Sequence, residues 1–207
     1  GMGGGATSRR FYTASSSDSY QIEKSLRFNS ADSPSLERYI STSGNRNTWT
    51  WSGWVKRSAL STTQALFYCG TDGNNREGFL LLNDDTIAVA WRSSGTTNEQ
   101  ITSAANFRDT SAWYHIVWAF DYNVSGTSPT GKSKFYINGK LIQNYDASGN
   151  AFSASVATKM NEAGNTFYIG KQPAGDKADV LLSDVYFIDG LALSPASFGS
   201  FDSTGVW

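Results

Sequence analysis

From Trp113 to Phe120 the chain reads Trp-Tyr-His-Ile-Val-Trp-Ala-Phe, with apolar groups at both odd and even positions. β-branched and aromatic residues suit a pleated surface better than a helix. Successive side chains of a strand point to opposite faces. A strand that is apolar on both faces needs cover on both, so this segment predicts a central strand in a layered, all-β molecule.

Two further stretches agree. Thr48-Trp49-Thr50-Trp51-Ser52-Gly53-Trp54-Val55-Lys56 alternates, with Trp49, Trp51 and Val55 on one face and Trp54 on the other. Lys134-Phe135-Tyr136-Ile137-Asn138-Gly139-Lys140-Leu141-Ile142 is a hairpin signal, because Asn-Gly suits the positive-φ positions of a type I′ turn. Shorter strands are predicted at 22–28, 37–41, 65–69, 79–82, 87–91, 166–170 and 179–188. Residues 92–110, 123–133 and 146–165 read as long polar loops. Helical periodicity is nearly absent, apart from one short turn that Ser194 would cap with Pro195 at its first position. Together these elements predict a two-sheet antiparallel sandwich.

Residues 1–20 are rich in Gly, Ser and Thr and read as a flexible arm, in which Phe11 and Tyr12 could dock on a neighbour. Residues 21–207 read as one domain. The chain ends abruptly at Thr204-Gly205-Val206-Trp207, as a fragment would.

Charge excludes several functions. Charged residues are 17% of the chain and the formal net charge is −1, with no Lys/Arg run. That gives no field to draw in nucleic acid or an anionic membrane. No stretch approaches the roughly 18–20 apolar residues of a membrane span, and the N-terminus lacks the apolar core of a signal peptide. Cys69 is the single cysteine, so neither an intrachain disulfide nor a thiolate metal cluster can form.

The ordered strands resemble the laminin-G-like, concanavalin A-like jelly-roll domains. The resemblance is carried by Leu26-Arg27-Phe28-Asn29 with Asp32, by Trp49 to Lys56, and by Trp113-Tyr114-His115-Ile116-Val117 with Asp121. Phe135 to Lys140 and Leu182-Ser183-Asp184-Val185-Tyr186-Phe187 followed by Ala192-Leu193-Ser194 complete it. It implies a jelly-roll topology. Three longer pieces, Tyr20–Phe28, Asn47–Arg57 and Phe187–Gly199, are similar to modules of marine bacteriophage tail and virion-surface proteins. That likeness implies a place on a virion or another extracellular surface. Its implied partners are a host-surface glycan or other virion proteins, and in the purely structural alternative a homo-oligomer.

Many laminin-G-like domains hold one calcium ion, which takes six to eight oxygen ligands. The matching positions are Asn29, Asp32 and Asp184, and Asn29 departs from the Asp found in many relatives. Related β-glucanases use a Glu-x-Asp-x(x)-Glu pattern. None of Glu23, Glu37, Glu77, Glu99 and Glu162 lies in such a pattern, which argues against an enzyme. Adjacent Asp84 and Asp85 read as hairpin chemistry. His115, the only histidine, reads as a hydrogen-bonded core residue.

Sugar recognition needs aromatic platforms with polar neighbours. Trp54 and Trp91 are the candidates, with Arg92, Asn74 and Asn98 close in sequence; core packing is the alternative for both rings. Trp49, Trp51, Trp113 and Trp118 are assigned to the core. The expected function is non-enzymatic binding of a carbohydrate or cell surface.

Overall fold

The computed structural model describes residues 20–125, 131–143, 145–146, 157–173 and 175–207. The arm predicted over 1–20 therefore lies outside the described residues except for Tyr20.

Among the described residues thirteen strands form two antiparallel sheets. The six-stranded sheet runs β1 (Leu26–Phe28), β13 (Val180–Asp189), β3 (Thr48–Arg57), β8 (Tyr114–Asp121), β9 (Ser133–Ile137) and β10 (Lys140–Leu141). The seven-stranded sheet runs β11 (Tyr145–Asp146), β7 (Thr96–Ser103), β6 (Ile87–Ser93), β5 (Asn75–Leu81), β4 (Gln64–Asp72), β12 (Thr166–Ile169) and β2 (Leu36–Tyr39). Sequence neighbours β1 and β2 sit in different sheets, as the crossing connections of a jelly roll require.

The core lies between the sheets, where Trp49, Trp51, Phe67, Phe79, Trp91, Trp118 and Phe120 meet. Trp51 and Phe79 pack edge to face at 4.5 Å, and Trp49 and Trp118 at 4.8 Å. Gly53 makes the Trp51 position workable. A Cβ there would lie 2.6 Å from the Trp51 ring, so the Trp-Ser-Gly-Trp sequence leaves room for the indole to lie back over its own strand.

The central-strand reading of 113–120 holds for β8, which is buried from His115 to Phe120. Its inner face meets the seven-stranded sheet. Its outer face is crossed by the C-terminal segment, which Thr50 ties down by donating to the Leu191 carbonyl at 2.7 Å and accepting from the Leu193 N–H at 2.8 Å. Trp113 precedes the strand and is half-exposed, so it does not join the core assigned to it above.

Three other expectations change. The stretch 92–110 contains β7, which completes a hairpin with β6 through Ser94 and Gly95 at positive φ. A second hairpin turns between β4 and β5 at Asp72–Asn75, where Asp72 accepts the N–H groups of Asn74 and Asn75. Asp84 does cap its turn through Thr86, but Asp85 does more: its buried carboxylate pairs with Arg57 and Arg108, each at 2.9 Å. The Asn-Gly turn is as predicted, with Asn138 at φ 48° and Gly139 at φ 75°. The turn after Ser194 is a single 3-10 turn, Pro195–Ser197.

Candidate functional site

Even-numbered positions of β3 point away from the core, which sends Ser52 and Trp54 to the outer face of the six-stranded sheet. His115 of β8 lies directly opposite Trp54 in the register. The Asn-Gly turn holds that point of β8 in place: Asn138 donates its N–H to the His115 carbonyl and accepts the His115 N–H on Oδ1, each at 2.8 Å. On the other flank, β13 breaks step with β3. Asp184 and Val185 both lie between the Ser183–Trp54 and Tyr186–Ser52 pairs, and this bulge turns Asp184 outward beside Tyr186.

The C-terminal segment closes the site from above. Asp202 builds a turn by accepting the Thr204 N–H, the Thr204 hydroxyl and the Val206 N–H on Oδ1 at 2.7–2.9 Å, which keeps its carboxyl below the usual range. Trp207 then lies edge to edge with His115, ring centroids 5.7 Å apart and planes within 15°. Gly139 gives it space, because a Cβ there would stand 2.3 Å from the indole. At the opposite rim Tyr20 stacks on Trp54 at 5.9 Å, and its hydroxyl donates to Asp184 at 2.5 Å.

The result is an open hollow of about 670 Å³ lined by Tyr20, Trp54, Tyr186, Phe198 and Trp207, with Ser52, Asp184 and Asp202 among its polar groups. Trp54 is half-buried. Volumes of roughly 300–1,000 Å³ with aromatic walls and a few polar groups are typical of small-ligand sites.

His115 is fixed in one tautomer. The Trp207 indole N–H can only donate, and it donates to Nδ1 at 2.9 Å. The ring proton therefore sits on Nε2 and points at the Ser52 oxygen 3.0 Å away. A serine nucleophile must donate to its histidine; here Ser52 accepts. Burial holds the His115 pKa down to about 4, partly opposed by the charge of Asp184. The pair is built as a neutral hydrogen-bonded floor.

The sequence candidates are dispersed. Trp54 lies in the hollow. Trp91 does not: with Ile87 and Val89 it faces between the sheets, at 0% exposure, so it cannot serve as an exposed platform. Arg92 and Asn74 meet in a second hollow of about 370 Å³ at the hairpin ends of the seven-stranded sheet, away from Trp54. The side chain of Asn98 lies outside the described residues.

The calcium trio does not converge either. Asn29 donates its own amide to Asp32 at 2.9 Å, and the loop they form is tied to Asp179. Because Phe28 pairs with Val180 and Leu26 with Leu182, Asn29 runs off past Asp179 while Asp184 lies at the other end of the β1–β13 pairing. These three residues do not fit one cation. No group of three or more His, Cys, Asp or Glu side chains suited to a metal occurs among the described residues.

Tyr20, His115, Tyr186, Asp202 and Trp207 were not among the binding candidates. Outward positions on β3, β8 and β13 could be read from strand alternation, but nothing local shows that Trp207 returns to β8.

A family model described as the concanavalin A-like lectin/glucanases superfamily matches residues 30–197. No curated protein matches. Among solved structures, the native heptameric SAP-like pentraxin from Limulus polyphemus is similar at TM-score 0.51 and 19% identity, covering 79% of this chain and 73% of that one. Domain 4 of AbnA, a GH43 extracellular arabinanase from Geobacillus stearothermophilus, in complex with arabinotriose, gives 0.50 and 20%, covering 75% and 65%. Domains LG4-5 of the mouse laminin alpha1 chain give 0.57 and 9%, covering 84% and 44%. At these identities the likeness is one of fold.

Proposed function

Because this chain belongs to the concanavalin A-like lectin/glucanase superfamily, whose jelly roll serves both sugar binding and sugar hydrolysis, we propose that it is a non-enzymatic glycan-binding module. The carrying observation is the hollow on the outer face of the six-stranded sheet, where Trp54 and Trp207 offer aromatic surface beside Asp184, Asp202 and serine hydroxyls. A sugar's C–H face packs on such rings while its hydroxyls hydrogen-bond to the polar rim. The fixed tautomer of His115 supports binding over catalysis. So does Asp202, whose depressed pKa is the reverse of what a general acid needs. The arabinotriose held by the arabinanase domain is in keeping with this reading.

The test is a glycan-array screen of the purified domain, followed by calorimetry on the best hit with the wild type and Trp54→Ala. Selective binding that the variant loses supports the module. A blank array, or binding indifferent to Trp54, overturns it.

A second reading, a structural or self-assembling domain, is favoured by one observation. An apolar groove of about 430 Å³ opens between the edge strands β1 and β2, where Leu26 and Leu36 are 56% and 49% exposed. The pentraxin with a similar fold is heptameric. Light scattering across concentration separates the readings: a monomer at all concentrations removes this one. Either role would suit a phage tail or virion surface, a placement that rests on the resemblance of 20–28, 47–57 and 187–199. Antibody labelling of particles tests it.

A further inference from the structure

Building on the glycan-binding reading, we infer that the site selects a cationic sugar, with the protonated amine of an amino sugar seated on Asp184 against the aromatic wall. The hollow holds two carboxylates, Asp184 and Asp202, and no Lys or Arg among the described residues that line it. Its floor histidine is neutral over most of the pH range, so it offers no counter-charge. Tyr20, Trp54, Tyr186, Phe198 and Trp207 line it with aromatic rings, whose π faces attract cations and repel anions.

Backbone geometry singles out Asp184. Among the described residues seven non-glycine positions have positive φ, and six stand in turns or loops; Asp184, at φ 49°, is the one inside a strand. Such outliers persist where the surrounding structure enforces them, and they cluster at ligand sites. Here the enforcement is the β13 bulge, which opposes two residues to Gly53 and turns the carboxylate outward. Oδ2 of Asp184 accepts the Tyr20 hydroxyl and the Ser183 hydroxyl, while Oδ1 has no donor among the described residues. In the proposed complex that oxygen takes the N–H⁺ of the sugar. Asp202 differs: three donors from its own turn hold its Oδ1, so its part is long-range charge. Tyr20 stays a protonated donor, because its bond to Asp184 raises its pKa to about 12.

Glucosamine oligomers and their N-acetylated counterparts differ in this one charge. Calorimetry at pH 6 should show the glucosamine form binding at least about tenfold more tightly. The preference should shrink as salt is raised from 50 to 500 mM. Asp184→Asn keeps the shape and tolerates the left-handed backbone, and should cut the preference below about threefold. Equal or tighter binding of the acetylated form overturns the inference and leaves the glycan reading standing. An amine preference untouched by Asp184→Asn overturns the assignment to Asp184. No binding of these oligomers or of any array glycan overturns both.

Discussion

Trp54 and Trp91 are chemically identical, but Trp91 faces between the two sheets and Trp54 faces outward from its own. In β6 the order Ile87-Ala88-Val89-Ala90-Trp91 puts Trp91 on the face of the two large aliphatics, so its burial was legible in the alternation. In β3 the same logic turns Trp54 away from Trp49 and Trp51. Trp91→Ala should destabilise the fold by roughly 3–5 kcal/mol in urea unfolding, the cost of deleting a buried indole. Trp54→Ala should leave the unfolding free energy within about 1 kcal/mol, since its ring is half-solvated, while weakening glycan binding at least about tenfold. His115 carries a pH signature. Its pKa falls from 6.5 unfolded to about 4 folded through burial, so the unfolded chain binds the extra proton between those values. Stability is then complete above pH 6.5 and declines as pH falls toward 4, by roughly 3 kcal/mol at most. The carboxylates Asp184 and Asp202 and the phenol of Tyr20 share the hollow, so the readout is differential. Urea midpoints at pH 4.5 and 7 should differ less in His115→Phe, which keeps a ring and cannot be protonated.

At the scale of elements, strands with strong apolar alternation were readable, and β7, held by pairing, was not. β7 is Thr96-Thr97-Asn98-Glu99-Gln100-Ile101-Thr102-Ser103, with one aliphatic residue in eight. Its place in the sheet comes from backbone hydrogen bonds to β6, set by the Ser94-Gly95 turn, and hydropathy carries no record of that. Asp85 shows a similar gap. Locally it is a turn residue, yet it accepts the Ser61 N–H and pairs with Arg57 and Arg108, which joins three chain segments at one end of the sandwich. The Ser61 bond, then the two guanidinium groups, hold its carboxyl below the usual range against the opposing effect of burial. Arg57 is 0% exposed at its side chain, and removing its partner would strand a buried charge. Asp85→Asn should therefore cost roughly 3–5 kcal/mol, read as a lowered urea midpoint with an unchanged slope.

Over the whole molecule, the two layers were foreseeable from β8, but the identity of its outer cover was not. That cover is the chain's own C-terminal segment, joined to the sheet by contacts such as Trp207 to His115, 92 residues apart, which no local pattern announces. The same segment completes the hollow, which is why the site was legible only in part. Calcium marks the limit of family resemblance in the same way. The resemblance pointed to Asn29, Asp32 and Asp184, yet strand register sends the first two and the third to opposite ends of β1 and β13. A cation bound to the native state alone would stabilise it by about 2.7 kcal/mol at a hundredfold excess over its dissociation constant. In a domain of this size each kcal/mol moves the thermal midpoint by roughly 2–4 °C. A resident calcium would thus raise the midpoint by about 5–10 °C over chelator. Since the trio does not gather, scanning calorimetry in millimolar calcium and in chelator should give midpoints within about 1 °C, and glycan affinity should be the same in both. A calcium-dependent rise of the larger size would mean that other oxygens of this chain form the cation site and that its link to the family extends to the metal.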